Sequence, residues 1–516
     1  MKKWLIWSAL ALAAQAQPAI EASRIREHLR HLASDAFEGR GTGQPGGDRA
    51  ADYIAEQFRS YGLETSFQEV PLVGVSTLAS SQMKLAGRLL QSGSDYVVNN
   101  QSQEAHVSID APIVFVGFGI QTPDWDDYKG VDLKGKVALV FVNEPESQDP
   151  NFFKGRALTY PGRWTYKFEE TARHGAVATL IIHRTDLAAY GWEVVRNSWS
   201  SEKSYLKREG EPALQAAAWI HYDVARQLVE KEGLNLDQLY RESQARDFRP
   251  RPLKARLQVK LDSQLRPFRS RNVIARKAAG SEAVMYSAHY DHLGIRPEEK
   301  ADPIYNGALD NASGCAVLLE LARVFAATAP KRSLYFVSTT AEEQGLLGAA
   351  YFAQHPPLPL KQISLDLNFD MLPPWGEPEE ITANGCERTT FHPDVLQEAD
   401  KLGLKLAPDP APEAGLYYRM DHFSLAQGGV PSFSVGEGLQ FRGKPLSYGI
   451  ELARDYTQRC YHHGADEFQE SWDFQGLAQF TQFAYNLGWR AANAPNLVQW
   501  LPGDEFEPAR KNLLSK

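Results

Sequence analysis

The sequence predicts an α/β protein: a mostly parallel mixed sheet with helices on both faces, interrupted by an inserted β-rich domain. Three observations carry this expectation. After Arg266 to Asn272, apolar runs of strand length alternate with segments of helical spacing, the pattern of a sheet covered on both faces. From about Val70 to Leu261 the pattern is instead one of short β-rich runs and turns. Residues with metal-ligating side chains recur at the predicted strand ends, where open α/β sheets place their chemistry. The chain therefore divides into 1–16, an export signal; 17–70, amino-terminal helices belonging to the last domain; 71–265, the insert; and 266–516, the domain with the ligating side chains. A length of 516 residues is compatible with several domains.

Composition narrows the function classes. Hydrophobic (43%) and charged (23%) contents are those of a globular protein. A net charge of −9 leaves no basic excess to neutralise phosphates, which argues against a nucleic-acid binder. Lys2 and Lys3 precede the apolar run from Trp4 to Ala14, and Ala14-Gln-Ala16 fits the small-residue cleavage rule. That run is too short to span a bilayer of about 30 Å. Nothing later approaches the length of an apolar membrane span, so the expected mature chain has no integral membrane segment and is exported, periplasmic or extracellular. Of the three cysteines, Cys315 reads as a packed apolar residue, and pairing of Cys386 with Cys460 stays open.

Taken in order, Ile25, Leu29 and Leu32, then Ala51, Ile54 and Phe58, mark two amphipathic helices. Between them, Gly41-x-Gly43-x-x-Gly46 has the form of a dinucleotide-binding turn. No strand precedes it and Pro45 interrupts it, so it reads as a connecting loop. In the insert, Ala111–Gly119, Gly135–Val142 and Ala176–Ile182 read as strands, and Phe168–His174 as a helix. His174, His183 and His221 are scattered there without partners for a site. Beyond the insert, strands are expected at Asn272–Ala275, Val284–Ala288, Ser333–Ser338, Ile363–Asp370 and Val430–Val435. Helices are expected at Asn311–Ala327, Leu347–Gln354, Pro393–Gly403 and Asp473–Ala492.

The stretch Ser287-Ala-His-Tyr-Asp-His-Leu-Gly294 closes the second of these strands, with His289 and Asp291 on one face of an extended segment. Asp310 lies in a turn opening a helix, Glu342 and Glu343 follow the Ser333–Ser338 strand, Asp370 ends another, and His462 and His463 sit in a late loop. Singly, each has a plain structural use: a helix cap, a charge complementing a helix dipole, a buried imidazole. Together at strand ends, two imidazoles and several carboxylates suit zinc better than the all-oxygen shells of magnesium or calcium.

With these segments in view, the sequence resembles the zinc-dependent exopeptidase family of co-catalytic di-zinc aminopeptidases, in the subgroup carrying a protease-associated domain. The likeness rests on His289-Tyr-Asp-His-Leu-Gly294, Gly307-Ala-Leu-Asp-Asn-Ala-Ser-Gly314, Ala341-Glu-Glu-Gln-Gly-Leu-Leu-Gly348, Asn368-Phe-Asp-Met371 and Tyr461-His462. Leu32 to Arg40 also resembles that family, and Gly117-Phe-Gly-Ile120 through Lys136 is similar to a protease-associated domain. The resemblance implies two Zn²⁺: one held by His289, Asp310 and Asp370, the other by Asp310, Glu343 and His462. It implies that Asp291 hydrogen-bonds the His289 ring, that Glu342 is general base and acid toward a water shared by the two ions, and that Tyr461 steadies the oxyanion. The implied substrate is a peptide with a free amino terminus.

Departures from the family pattern remain. His463-Gly464 replaces the usual Thr-Pro, leaving His463 as the fallback ligand to His462. His292 is an additional imidazole that reads as structural; Tyr418 to Phe423 resembles a family segment that more often begins Ser-Asp-His, with Asp421 and His422 as candidates to shape the substrate pocket. The rival readings are a carboxypeptidase using Arg419 or Arg442, a glutaminyl-cyclase-like transferase on the same scaffold, and a receptor-like protein without metals.

Overall fold

The computed structural model describes residues 18–149, 152–188, 190–199, 201–297, 299 and 302–515; the expected export signal lies outside them. The sheet that positions the candidate ligands runs Ser432–Ser434, Ile363–Asn368, Ala283–His289, Ser333–Thr339, with all neighbours parallel. Every residue of these strands is buried, which is why they read as continuous apolar runs rather than alternating ones. Parallel pairing sets all their carboxyl ends on one edge. His289 and Thr339 are register partners there, and Asp370 follows two residues after Ile363–Asn368.

One strand of 27 residues, Arg251–Lys277, joins the two halves of the molecule. Its first part pairs antiparallel with His106–Phe115. Its middle and end pair with Glu64–Thr77, and Val273–Lys277 pairs antiparallel with Leu334–Ser338. Leu253, Ala255, Leu257, Val259 and Leu261 are buried in strict alternation with exposed neighbours, so this part presents one face to a core and one to solvent. The division expected at 265/266 falls inside this continuous strand.

The insert is less purely β than expected. Ile113–Phe115, Val137–Phe141, Ala178–Ile182 and Ala216–Ile220 pair in parallel, and parallel neighbours need crossover connections. The helix Trp164–Arg173 supplies one. Tyr222–Lys231 and Leu236–Ser243 add further helices.

The expected helices after residue 311 are present at Ser313–Ala326, Leu347–Gln354, His392–Lys401 and Gln475–Asn493. The helices Ser447–Arg459, in which only Gly449 is buried, His422–Gln427 and Glu507–Ser515 were not expected from the sequence. The amino-terminal helices Ala22–Leu32 and Pro45–Ser60 share a hydrophobic core with Ser313–Ala326 and Gln475–Asn493. In the first turn of the second of these, a Cβ at Gly46 would stand 1.9 Å from the Phe37 carbonyl oxygen and one at Gly47 2.5 Å from that of Gly41. These glycines permit close backbone packing. All three cysteines are free thiols, so Cys386 and Cys460 do not pair. Among the described residues no helix is long and apolar enough to cross a membrane.

Candidate metal centre

The structure gathers His289, Asp310, Glu342, Glu343, Asp370 and His462 at the carboxyl edge of the parallel strands. His289 Nε2 lies 3.4 Å from Asp310 Oδ1 and 3.3 Å from Asp370 Oδ1. On the other side, His462 Nε2 lies 3.3 Å from Asp310 Oδ2 and 3.1 Å from Glu343 Oε2. Asp310 thus turns one oxygen to each group. Zinc bonds of about 2.0–2.2 Å in tetrahedral geometry put neighbouring ligand atoms about 3.3–3.6 Å apart. Most of the observed separations match that edge, and they are longer than a charge-assisted hydrogen bond of about 2.7–2.9 Å. The residues present fit a pair of zinc ions, each with one imidazole and two carboxylates, Asp310 being common to both. His463 is exposed and forms no ion pair with the cluster, so of the two neighbouring histidines it is His462 that the structure brings in.

Local interactions fix these side chains. Asp310 follows Gly307, which is left-handed at φ +55°. Its amide and that of Leu309 donate to the Asp466 carboxylate at 3.1 and 3.0 Å. Asn311 ties the Asp310 turn to the Asp370 loop: its Nδ2 donates to the Phe369 carbonyl at 2.9 Å, and its Oδ1 accepts from Met371 N at 3.3 Å. Three non-glycine residues with positive φ sit in this cluster: Ala341 before Glu342 (+56°), Met371 after Asp370 (+54°), and His462 itself (+58°). Such conformations cost of order 1–3 kcal/mol each and persist where the surroundings over-determine them.

Asp291 is wholly buried but does not hydrogen-bond the His289 ring with its carboxylate, as the resemblance implied. Nδ1 of His289 meets the main-chain oxygen of Asp291 at 3.1 Å, and the carboxylate stands 3.9 Å away. The carboxylate instead accepts from Glu342 N at 3.1 Å and Thr42 Oγ1 at 2.9 Å, holding the Glu342 turn against the amino-terminal loop. The carbonyl is available because Tyr290 and Asp291 leave the strand here, a turn that periodicity does not reveal.

Electrostatics separate the two adjacent glutamates. Burial pushes Glu342 well above the usual carboxylate range, opposed by His289 and reinforced by the charges of Asp370, Glu343 and Asp421. Glu343, against the burial that would raise it and the repulsion of Asp310, is held down to about 2 by His462 and His292. His289 and His462 are likewise raised despite burial, His462 to about 11, because carboxylates surround them. Asp310 falls well below its ordinary value despite burial, through His289 and His462. Tyr461 stacks on His462 with ring centroids 4.0 Å apart. Burial, then Asp310 and Glu343, raise its hydroxyl, which stays protonated.

Residues without an assigned role in the sequence complete the site. Arg40 is fully buried and donates from Nε to the Tyr290 carbonyl (2.7 Å), from Nη1 to those of Leu32 (2.8 Å) and Asn306 (2.5 Å), and from Nη2 to that of Gly307 (2.8 Å). Asp466 anchors the Asp310 turn, as above. Their only sequence signal is membership of the segments Leu32–Arg40 and Tyr461–Asp466. Asp421 is buried and takes a hydrogen bond from Thr339 Oγ1, while His422 packs edge-on to Tyr417. Arg442 is engaged by Glu377 at 2.9 Å; Arg419 is exposed.

Known proteins share parts of this sequence and its fold. The chain is 28% identical over 237 residues to "Probable zinc metalloprotease" of Pyrenophora tritici-repentis (strain Pt-1C-BFP), covering 41% of this chain and 51% of that protein. It is 32% identical over 163 residues to "Aminopeptidase YwaD" of Bacillus subtilis (strain 168), covering 30% of each. The chain thus spans about half or less of the length of these relatives. The solved structure of the aminopeptidase from Aneurinibacillus sp. strain AM-1 shares the fold, with a TM-score of 0.54 at 19% identity, covering 94% of this chain and 97% of that one. Residues 272–487 match Peptidase family M28, a segment containing His289, Asp310, Glu342, Glu343, Asp370 and His462. The likeness to that peptidase family rests on this segment, which is less than half of the chain.

Proposed function

We propose that this chain is an exported zinc aminopeptidase that removes the amino-terminal residue of peptides at a two-zinc centre. The observation that carries the reading is the spacing of His289, Asp370, Glu343 and His462 about the two oxygens of Asp310, which is that of ligands sharing tetrahedral ions. His289, Asp310 and Asp370 would hold one ion, and Asp310, Glu343 and His462 the other. Zinc bound there supplies Lewis acidity toward a carbonyl and lowers the pKa of water.

The remaining work falls to the chain's own side chains. Glu342 stands 4.0 Å from His289 Nε2, outside ligand spacing, and its side chain is more open (13% exposed) than those of Asp310 (5%) and Glu343 (4%). With a pKa raised by burial and by neighbouring carboxylates, it suits a group that takes a proton from an attacking water and returns one to the leaving amine. Tyr461, protonated beside His462, would donate to the oxyanion of the tetrahedral intermediate. Asp370 and Asp421 add negative charge that favours a substrate α-ammonium. The insert is read as a protease-associated domain, and export rests on Lys2, Lys3 and the apolar run to Ala14.

The test is zinc content together with hydrolysis of an aminoacyl arylamide and its N-blocked analogue. Two zincs per chain, cleavage of the free-amine substrate alone, and loss on chelation are expected; cleavage of the blocked substrate alone defeats the assignment. One observation favours a second reading, a peptidase that grips the substrate's carboxylate. Arg163 has its Nε buried without a hydrogen-bond partner, and burial with the nearby charge of Arg419 lowers its pKa to about 10. The Arg419 charge also reaches Tyr461. Free-acid and C-amidated dipeptides cleaved at equal rates would remove this reading.

A further inference from the structure

His292 is the imidazole that the aminopeptidase reading leaves unused, and its surroundings are too specific for a filler of space. Its Nδ1 lies 2.7 Å from Glu343 Oε1 and 4.0 Å from Asp310 Oδ2. His292, Asp310 and Glu343 offer ligand atoms that all lie within 4.8 Å of one another, so proximity alone would make His292 a metal ligand. The separation decides otherwise. Atoms sharing a tetrahedral zinc stand about 3.3–3.6 Å apart, whereas 2.7 Å is the length of a charge-assisted hydrogen bond. His462 meets the other oxygen, Oε2, at 3.1 Å, so the two oxygens of Glu343 are divided between two imidazoles.

We propose that His292 is a positioning residue for the second zinc: Nδ1–H donates to Glu343 Oε1 and leaves Oε2 directed at the metal with His462 and Asp310. A carboxylate only accepts, so the proton must sit on Nδ1. The ring has no competing claim on its orientation, since Nε2 is buried without a hydrogen-bond partner. Gly307 leaves it room: a Cβ there would stand 2.5 Å from Cγ and 2.6 Å from Cδ2 of the ring. Its backbone is fixed by His292 N donating to the Arg40 carbonyl and by a bridge to Gly41. The glycine-rich amino-terminal turn therefore reaches the metal position through one imidazole. Without the bond, Glu343 is free to rotate or to bind with both oxygens, and outer hydrogen bonds of this kind are worth about 10–100-fold in metal affinity.

The inference rests on the two-zinc reading, and the experiment separates the two. Zinc stoichiometry and stepwise affinities are measured by chelator competition on the full chain and on His292→Leu, His292→Asn and His292→Gln. Asparagine places an N–H near the position of Nδ1; glutamine carries it one bond too far. The expected result is two zincs in the unaltered chain, the weaker-held step falling about 10–100-fold in H292L and H292Q, and recovery to within a few-fold in H292N. Unchanged affinity in H292L overturns the inference, as does H292N binding no better than H292Q. Should H292L fail to fold, the H292N and H292Q pair decides. Loss of one imidazole from the X-ray absorption signal of zinc-loaded H292N would instead make His292 a direct ligand and also overturn it. An unaltered chain that binds fewer than two zincs sinks the two-zinc reading itself.

Discussion

Replacing Arg40 by methionine tests whether a buried cation, far from the ligands in sequence, builds their framework. The guanidinium makes four hydrogen bonds to the carbonyls of Leu32, Tyr290, Asn306 and Gly307, all between 2.5 and 2.8 Å. Those carbonyls belong to the first helix, the His289–Asp291 turn and the approach to Asp310. Hydrogen bonds from a charged donor contribute about 1.5–3 kcal/mol each, so the gross loss is roughly 6–12 kcal/mol. Burial, which lowers the Arg40 pKa, means that the folded protein already bears a desolvation cost of several kcal/mol, and that cost disappears with the charge. The net expectation is destabilisation by about 4 kcal/mol, chiefly from buried carbonyls left without donors. For a cooperative unit of about 300 residues, with an unfolding entropy of about 2.1 cal/mol/K per residue, that lowers the melting temperature by roughly 6 °C. Thermal unfolding should be followed in chelator, so that zinc binding to the folded state does not mask the change. Arg40→Lys, with fewer donors in a less suitable fork, should lose about half as much. An R40M protein melting within 1 °C of the unaltered chain would refute the reasoning.

Further outcomes follow from the same structure. Glu342→Gln keeps the shape of the side chain and removes its proton acceptor, so zinc content should hold while kcat falls about 10²–10⁴-fold; unchanged turnover removes Glu342 from the chemistry. Asp466→Ala leaves the buried amides of Leu309 and Asp310 without acceptors, and should cost about 2–5 kcal/mol and lower zinc retention, read by denaturation and metal analysis. His28 is lowered from 6.5 to about 4 by burial, then by Arg24, His31 and Arg323. Between those values the unfolded chain binds the proton and the folded chain does not, so stability should fall as pH drops from about 6.5 to 4, by at most roughly 3 kcal/mol. His28→Gln should flatten that slope in urea melts, and an unchanged slope would assign it elsewhere. A thiol reagent should titrate three cysteines in unreduced, denatured protein; one would indicate a disulfide.

How far the sequence reached follows from the length scale of each cue. Periodicity and continuous apolar runs located the parallel strands and most helices, because burial on both faces leaves a mark within a few residues. Ser447–Arg459 escaped: only Gly449 in it is buried, so it is not marked by the core as the others are. The insert's strands were legible, but their parallel order was not, because pairing is a relation between distant segments.

The sequence by itself determined which residue types stand at the strand ends and loops: His289, Asp310, Glu342, Glu343, Asp370 and His462 lie in short motifs rich in metal-ligating residue types. Only the tertiary structure decided how they are aimed. It separated His462 from His463, gave the His289 ring to the Asp291 carbonyl rather than its carboxylate, and set His292 at hydrogen-bond rather than ligand spacing from Glu343. It also brought Arg40 and Asp466 beneath turns remote from them in the chain. The physical reason is that a few tenths of an ångström distinguish a shared ion from a shared proton. Such differences arise from how buried backbone donors and acceptors are satisfied across the whole fold.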